Sequence, residues 1–381
     1  MRGKHKSILI HVVAWIRREL LRSRISRLID WEPLDNPEEG CTAIIGMCSR
    51  LPDVLAANIR CLNAFRWPEL KRVLVVVDCI EDSFQHEIEH QARAAYPDLN
   101  IQFVYYSRTQ SAMAESLNLP YVYSWLSWCI ALRRATTEHV LIHDYDALVL
   151  GPALEDRYRS FAASGAKVQG IAWYQTNGVE TEDALATTFE AFMDTRWLRA
   201  LRPVSLFNKL RAVRGRSIDF DTTLDVQNRL LTAEQRTILP MSLDELVHPS
   251  QMIHQYTMFR RTPAAELPCF SIPMIPFFIY LSGRTEAIDH ATQALGRSDR
   301  RDVDLLNDGT RFNLSMLDIL QVDWLLKQIV QACLALLIPP NREIYAYGVA
   351  LYGVIGAPAE DIWRGDFTMT QRQWIDGALH A

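Results

Sequence analysis

Two aspartates, Asp144 and Asp146, stand one residue apart where an apolar run breaks in HVLIHDYDALVL, residues 139 to 150. An ionised carboxylate at the end of a buried strand is costly to desolvate unless a cation meets it. Hard divalent ions such as Mg²⁺ or Mn²⁺ take one or two carboxylates and complete their shell with water and phosphate oxygens. The pair therefore suits a metal held against a bound diphosphate. Spacing alone is weak evidence, because 25 Asp in 381 residues give about 1.6 such pairs by chance and the chain has three. Asp302/Asp304 lies among arginines in RSDRRDVDLLNDG, where a solvated charge cluster is sufficient, and Asp219/Asp221 does not follow a fully apolar strand. Context separates the first pair from the other two.

The elements that must position these carboxylates follow from the changing period of the pattern. CTAIIGMC (41 to 48) is a short apolar run, LPDVLAANIRCLNAF carries apolar residues at helical spacing, and RVLVVVDC (72 to 79) is a β-branched strand ending in Asp78. SFQHEIEHQARAAY leads to IQFVYYS (101 to 107), and WLSWCIALRRATTEHVLIHD (125 to 144) repeats helix then strand. Strands alternating with helices in units of roughly 30 residues predict an α/β, mostly parallel sheet flanked by helices with right-handed crossovers. Ligands of such sheets bind beyond the carboxyl ends of the strands. Arg50, Asp78 and the Asp144/Asp146 pair all fall there.

Composition bounds the function classes. A hydrophobic content of 49%, a charged content of 22% and a net charge of −5 describe a globular chain and argue against a nucleic-acid binder, which would be basic. Seven cysteines without a C-x-x-C pair suggest neither a disulfide framework nor a zinc site, and fit a reducing, cytoplasmic setting. Residues 1 to 30 hold eight Lys or Arg against two acids, interleaved with apolar residues, which predicts a basic amphipathic helix. Two readings stay open for it: a peripheral contact with the inner, anionic membrane surface, or a helix packed on the domain with its arginine face in water. Its apolar stretch, Ile8 to Ile16, falls short of the ~20 residues that span a bilayer. IVQACLALLIPP (329 to 340) and IYAYGVALYGVIGAP (344 to 358) are equally short, and are read as core helices or monotopic membrane dips.

Across roughly residues 42 to 255 the chain resembles the GT-A fold glycosyltransferases, family 2-like members in particular. TAIIGMCSRLPDVLAANIRCLNAF with RVLVVVDC resembles their opening strand, helix and strand, and ALRRATTEHVLIHDYDALV their helix running into the D-x-D motif. The resemblance implies that Asp78 reads the nucleotide base, that Arg50 lies near the nucleotide, and that Asp144 and Asp146 hold Mn²⁺ or Mg²⁺ and through it the diphosphate. IDFDTTLDVQNRLL (218 to 231) resembles the family's acidic segment leading into a helix, and RTILPMSLDELVHPS (236 to 250) its next strand and loop, making His248 the third metal ligand. One departure stands out: Trp128-Cys129 occupies the place of a common Arg-Asn about fifteen residues before the motif.

The implied activity is transfer of a sugar from a nucleotide-diphosphate sugar, a UDP-sugar being the expected donor, to a carbohydrate or lipid-linked acceptor hydroxyl. With inversion at the anomeric carbon, a carboxylate within hydrogen-bond reach of the acceptor acts as general base. Asp221 is the first candidate and Asp225 the second. Spacing leaves inverting and retaining chemistry both open. Duller explanations compete at each position: Asp221 or Thr222 could cap the helix beginning near Thr223, with Asp225 as a capping-box acid, Asp78 could be a strand-end turn residue, and His254 a packed helix residue. A sugar-phosphate nucleotidyltransferase would usually open with a Gly-rich phosphate loop, which MCSRLPDV lacks. A non-catalytic, membrane-associated nucleotide-sugar-binding scaffold is the other alternative. The implied plan is an N-terminal helix and linker over 1–40, a nucleotide-sugar-binding and catalytic domain over 41–260, and a C-terminal extension over 261–381 for the acceptor, a membrane or a partner.

Overall fold

The computed structural model describes residues 2–172, 185–297 and 299–381. They fall into two compact units, Met1–Arg50 with Arg66–Tyr145 and Pro152–Met241 in one, and Leu51–Phe65 with Asp146–Gly151 and Ser242–Ala381 in the other.

The first unit begins with β1 (Arg2–Gly3), α1 (Ile8–Ile25) and β2 (Glu38–Met47). The chain then gives the second unit α2 (Asp53–Ala64) before returning to the first with β3 (Leu70–Val77), α3 (His86–Ala95), β4 (Ile101–Tyr105), α4 (Arg108–Leu117), α5 (Pro120–Arg134) and β5 (Thr137–His143). After β6 (Leu148–Val149), which belongs to the second unit, come α6 (Ala153–Ser164), β7 (Val168–Ala172), β8 (Ala186–Asp194), α7 (Thr195–Arg199), the hairpin β9 (Lys209–Val213) and β10 (Arg216–Phe220), α8 (Leu224–Leu230) and β11 (Arg236–Leu239).

Seven of these strands form one sheet in the order β11-β7-β8-β5-β2-β3-β4. The α/β, mostly parallel architecture read from the sequence is the one present. β2 pairs parallel with both β3 and β5, β3 with β4, and β11 with β7, while β8 runs antiparallel to β5 and β7. From β2 the chain winds outward to β3 and β4, then returns to place β5 on the other side of β2, so the winding reverses between β2 and β5. Crevices at such reversals, beyond the carboxyl ends of the strands, are where ligands bind in open α/β sheets.

The central strands are continuous apolar runs because both faces are covered. Ile44, Leu74, Val76, Val140 and Ile142 pack with Trp125, Leu126 and Ile130 of α5 in one core. Full burial of such side chains contributes about 1.5–3 kcal/mol each. The helix presses close to β2: a Cβ on Gly46 would lie 2.9 Å from Ser127 Cβ, so glycine allows the approach. Trp125 Nε1 donates to the Pro203 carbonyl at 2.9 Å. Trp128 and Cys129 are buried in the same core, which gives the Trp-Cys departure a packing role.

The N-terminal segment forms the expected helix, but the arginine-outward orientation does not hold for Arg18 and Arg22. The buried Arg22 donates to the Phe207 carbonyl at 2.8 Å, and Arg18 pairs with Asp219 at 3.3 Å. His11 Nδ1 meets Ser217 Oγ at 2.8 Å, and β1 pairs in parallel with β10. Three polar side chains thus turn inward together with Leu21 and the buried Ile25, while Leu9, Val13, Ile16 and Leu20 turn outward.

The second unit joins α2 and β6 to β12 (Leu246–Val247), α9 (Met252–Arg261), α10 (Ile275–Leu281), α11 (Glu286–Arg297), α12 (Ile319–Ala335), α13 (Arg342–Val354) and α14 (Met369–His380). Arg60 of α2 donates to the Leu281 carbonyl at 3.0 Å, and Arg284 pairs with Asp53 at 3.0 Å. α12 buries Val322, Leu325, Leu326, Ile329 and Val330, and α13 buries Ile344, Tyr347 and Leu351, so both apolar C-terminal stretches supply core helices. Among the described residues no helix is long and apolar enough to cross a membrane.

Candidate metal and nucleotide site

β5 ends at His143, and its pairing continues one step, with the Asp144 amide donating to the Phe189 carbonyl at 3.0 Å. Residues 144 to 147 then turn the chain into β6. In the second unit β6 and β12 pair antiparallel, Leu148 with Val247 and Val149 with Leu246. The next step of that register sets His248 beside the start of β6, where its Nε2 lies 3.4 Å from Asp146 Oδ1. Both residues are buried, at 6% exposure each. The buried Asn58 of α2 donates to the Ala147 carbonyl at 2.8 Å and holds the residue after the motif.

Asp144, two residues up the same turn, completes a set of three. Asp144, Asp146 and His248 each offer one ligand atom, and those atoms lie within 4.8 Å of one another. Opposed ligands of a hard divalent ion stand about 4 Å apart. Two carboxylate oxygens and an imidazole nitrogen match the donors that Mn²⁺ accepts, with room left for water and phosphate oxygens. The set fits the expected ion.

The nucleotide-side candidates end β2 and β3. Asp78 Oδ1 accepts the Ser49 amide at 2.8 Å, drawing the two strand ends together. Burial pushes the Asp78 carboxyl above its ordinary pKa, against the bonds from Ser49 and the charge of Arg50. The Asp78 carboxylate thus ties the ends of β2 and β3 together at this turn. Arg50, exposed, follows Ser49 directly.

Asp221 and Asp225 separate chemically. Helix α8 has Thr223 at its N-cap in a left-handed conformation (φ 68°), with no side-chain cap, so neither Asp221 nor Thr222 caps it. Asp221 Oδ1 accepts from Asn208 Nδ2 at 2.6 Å and from the Thr222 amide at 2.8 Å. Oδ2 carries no bond among the described residues. Desolvation in its crowded setting pushes the Asp221 pKa up, opposed by those two bonds, although the residue stays open to solvent. Asp225, 2% exposed, has both oxygens taken, Oδ1 by Arg211 at 2.7 Å and Oδ2 by Arg229 at 2.9 Å. Neither oxygen of Asp225 is left open to an incoming hydroxyl. His254 lies half-buried on α9, its pKa lowered by desolvation and by Arg261.

Asn208, Arg211 and Asn58 escaped the sequence reading. Each meets its partner through tertiary structure, and no local pattern marks them. WYQTNGVETED (173 to 183) lies outside the described residues.

No protein-family model matches the sequence, and no curated protein matches it. Among solved structures the chain is similar to the galactosyltransferase LgtC in complex with donor and acceptor sugar analogs, at 10% identity and TM-score 0.35 over 43% of this chain and 62% of that one. The chain thus spans less than two thirds of LgtC. It is also similar to the mannosyltransferase PcManGT from Pyrobaculum calidifontis in complex with GDP-Man and Mn²⁺, at 14% identity and TM-score 0.35 over 94% of this chain and 97% of that one. A third is S. aureus TarS 1-349 in complex with UDP, at 13% identity and TM-score 0.33 over 85% of this chain and 89% of that one.

Proposed function

We propose that this chain is a metal-dependent GT-A glycosyltransferase, family 2-like, which moves a sugar from a nucleotide-diphosphate sugar, a UDP-sugar by preference, to a carbohydrate or lipid-linked hydroxyl with inversion. The observation that carries the reading is the convergence of ligand atoms from Asp144 and Asp146, on the turn after β5, and from His248, just past β12. The reading places the enzyme in the cytoplasm, in keeping with seven cysteines that are all free.

Breaking the bond to the anomeric carbon leaves negative charge growing on the departing diphosphate. A Mn²⁺ or Mg²⁺ ion bound there supplies Lewis-acid stabilisation of that charge. Asp144, Asp146 and His248 are the residues that would hold it, and Asn58 keeps the turn in place through Ala147. Asp78 and Arg50, at the ends of adjoining strands, bind the nucleoside part, the carboxylate by hydrogen bonding and the guanidinium by charge. Asp221 takes the proton of the attacking acceptor hydroxyl at Oδ2, while Asn208 and the Thr222 amide orient the carboxylate through Oδ1. Its raised pKa makes it a better base than an ordinary carboxylate. Asp225, held by Arg211 and Arg229, positions the start of α8 behind it.

The test is a thermal-shift screen of nucleoside diphosphates and their sugars with and without Mn²⁺, followed by assay of nucleoside diphosphate release. A Mn²⁺-dependent shift with one nucleotide and slow release from its sugar supports the enzyme. Binding without turnover under every acceptor tried would favour the scaffold. Absence of any nucleotide-dependent shift would remove the reading.

A further inference from the structure

The outward face of α1 goes beyond that reading, because it carries an exposed apolar row in addition to the residues the helix packs inward. A helix packed on a globular body normally turns its apolar stripe inward and its charges to water. In α1 the inward side carries His11, Arg18 and Arg22, each bonded to the β9–β10 hairpin or the residues flanking it, beside Leu21 and the buried Ile25. Leu9, Val13, Ile16 and Leu20 recur at helical spacing on the opposite side, with Leu9 73% and Leu20 67% exposed. Beside them an apolar groove of about 700 Å³ runs between the helix and Leu119 and Tyr121. Such a contiguous face marks an interaction surface rather than chance exposure.

Charge identifies the occupant. Lys4, Lys6, Arg17, Arg24 and Arg27 are exposed around the apolar row. The single acid in the helix, Glu19, is half-buried and pairs with Arg22 at 3.6 Å and Lys209 at 4.0 Å. The outward face therefore offers apolar side chains ringed by cations. Helices of this composition lie in the headgroup region with their apolar row in the acyl boundary and their cations on anionic lipid.

We infer that the outward face of α1 is a docking surface for an anionic phospholipid bilayer, along which the helix lies flat without crossing. Arg22 bonds the Phe207 carbonyl next to Asn208, which in turn holds Asp221. Docking therefore fixes the hairpin that carries the candidate base near the lipid surface, where a lipid-anchored acceptor hydroxyl would be presented.

The experiment is co-sedimentation of the full chain with vesicles of phosphatidylcholine alone and of phosphatidylcholine with phosphatidylglycerol, without nucleotide or metal, so the outcome is independent of transfer activity. The expected result is binding to the anionic vesicles only, released as salt screens the charges. Ile16→Glu with Leu20→Glu, both at exposed positions, should lower the bound fraction about tenfold or more with an unchanged melting temperature. Arg17→Glu with Arg24→Glu should remove the preference for anionic lipid. Equal recovery from both vesicles, parent-like binding of the Glu variants, or a dimer on sedimentation that the Glu variants dissolve would each overturn the proposal, the last by showing that a second copy covers the face.

Discussion

His248 Nε2 stands 3.4 Å from Asp146 Oδ1, although a full course of strands and helices separates the two residues in the chain. The two-residue ladder between β6 and β12 makes the contact, since its register leaves His248 next to the turn that carries the aspartates. Without a cation the turn concentrates two carboxylates. With His248 alongside, three side chains offer ligand atoms within 4.8 Å of one another.

Removing one of those charges therefore separates ion binding from folding. Asp146→Asn should leave the metal-free protein about as stable as the parent or slightly more stable, because like charges close together repel. The stabilisation that Mn²⁺ plus nucleoside diphosphate gives the parent should vanish. His248→Ala should show the same pattern more weakly at the metal, with an added loss of about 1–3 kcal/mol from deleting a buried, bonded ring. Melting temperatures of each protein alone, with Mn²⁺, with nucleotide and with both decide the matter. An undiminished combined shift in Asp146→Asn would sink the metal site.

Asp221 offers a test by rate and by pH. Asp221→Asn should keep donor and metal binding and lower turnover by roughly 10² or more. The parent's rate should fall as pH drops through the carboxyl's pKa, because a base must be deprotonated to act. Since that pKa is raised, the fall should begin at higher pH than an ordinary carboxylate would give. Loss of that limb in the residual activity of Asp221→Asn would tie it to this residue, and an unchanged limb would assign it elsewhere.

Asp225 should behave as the opposite case. Its carboxylate is clasped by Arg211 and Arg229, so Asp225→Asn leaves two guanidiniums short of their partner at the first turn of α8. Part of that cost is relieved because both arginines reach solvent, and a loss of about 1–3 kcal/mol is expected. Turnover per folded molecule should change much less than in Asp221→Asn. The reverse order in kcat would make Asp225 the base.

What the sequence disclosed, and what it hid, follows from the range of the interactions. β2, β3 and β5 were legible because strands covered on both faces are written as unbroken apolar runs, and the helices between them because their apolar residues return every three or four positions. The aspartate turn was legible for the same reason: a carboxylate is conspicuous where the run stops. Asn58 and Asn208 were not, because their partners, Ala147 and Asp221, are reached through tertiary packing. The inverted orientation of α1 was hidden too, since composition shows arginines and apolar residues interleaved without showing that Arg18 and Arg22 have carbonyl and carboxylate partners waiting in the β9–β10 region. SIPMIPFFIYLSG gave no mechanistic signal, and its centre is the buried helix α10.

The final prediction concerns Asp78, whose structural and binding roles use different consequences of one carboxylate. Asn at this position retains an oxygen that can accept the Ser49 amide, so Asp78→Asn should fold with β2 and β3 joined as before. It should still weaken nucleoside diphosphate binding about tenfold or more, because a hydrogen bond to a charged acceptor is roughly twice as strong as to a neutral one. Burial raises the Asp78 pKa, so the folded state holds this proton more tightly than the unfolded chain. Its contribution to stability is then fully present below the unfolded pKa and is lost as pH rises through the raised folded value. Asn does not titrate in this range. The melting temperature of Asp78→Asn should accordingly gain on the parent as pH climbs through that window, and the gap should be constant at higher pH. Paired thermal scans across the acid range, together with nucleotide titrations at neutral pH, measure both effects. A gap that moves in the parent's favour on raising the pH would show that the carboxylate is stabilised in its charged form, and that Arg50 and Ser49, rather than burial, set its pKa.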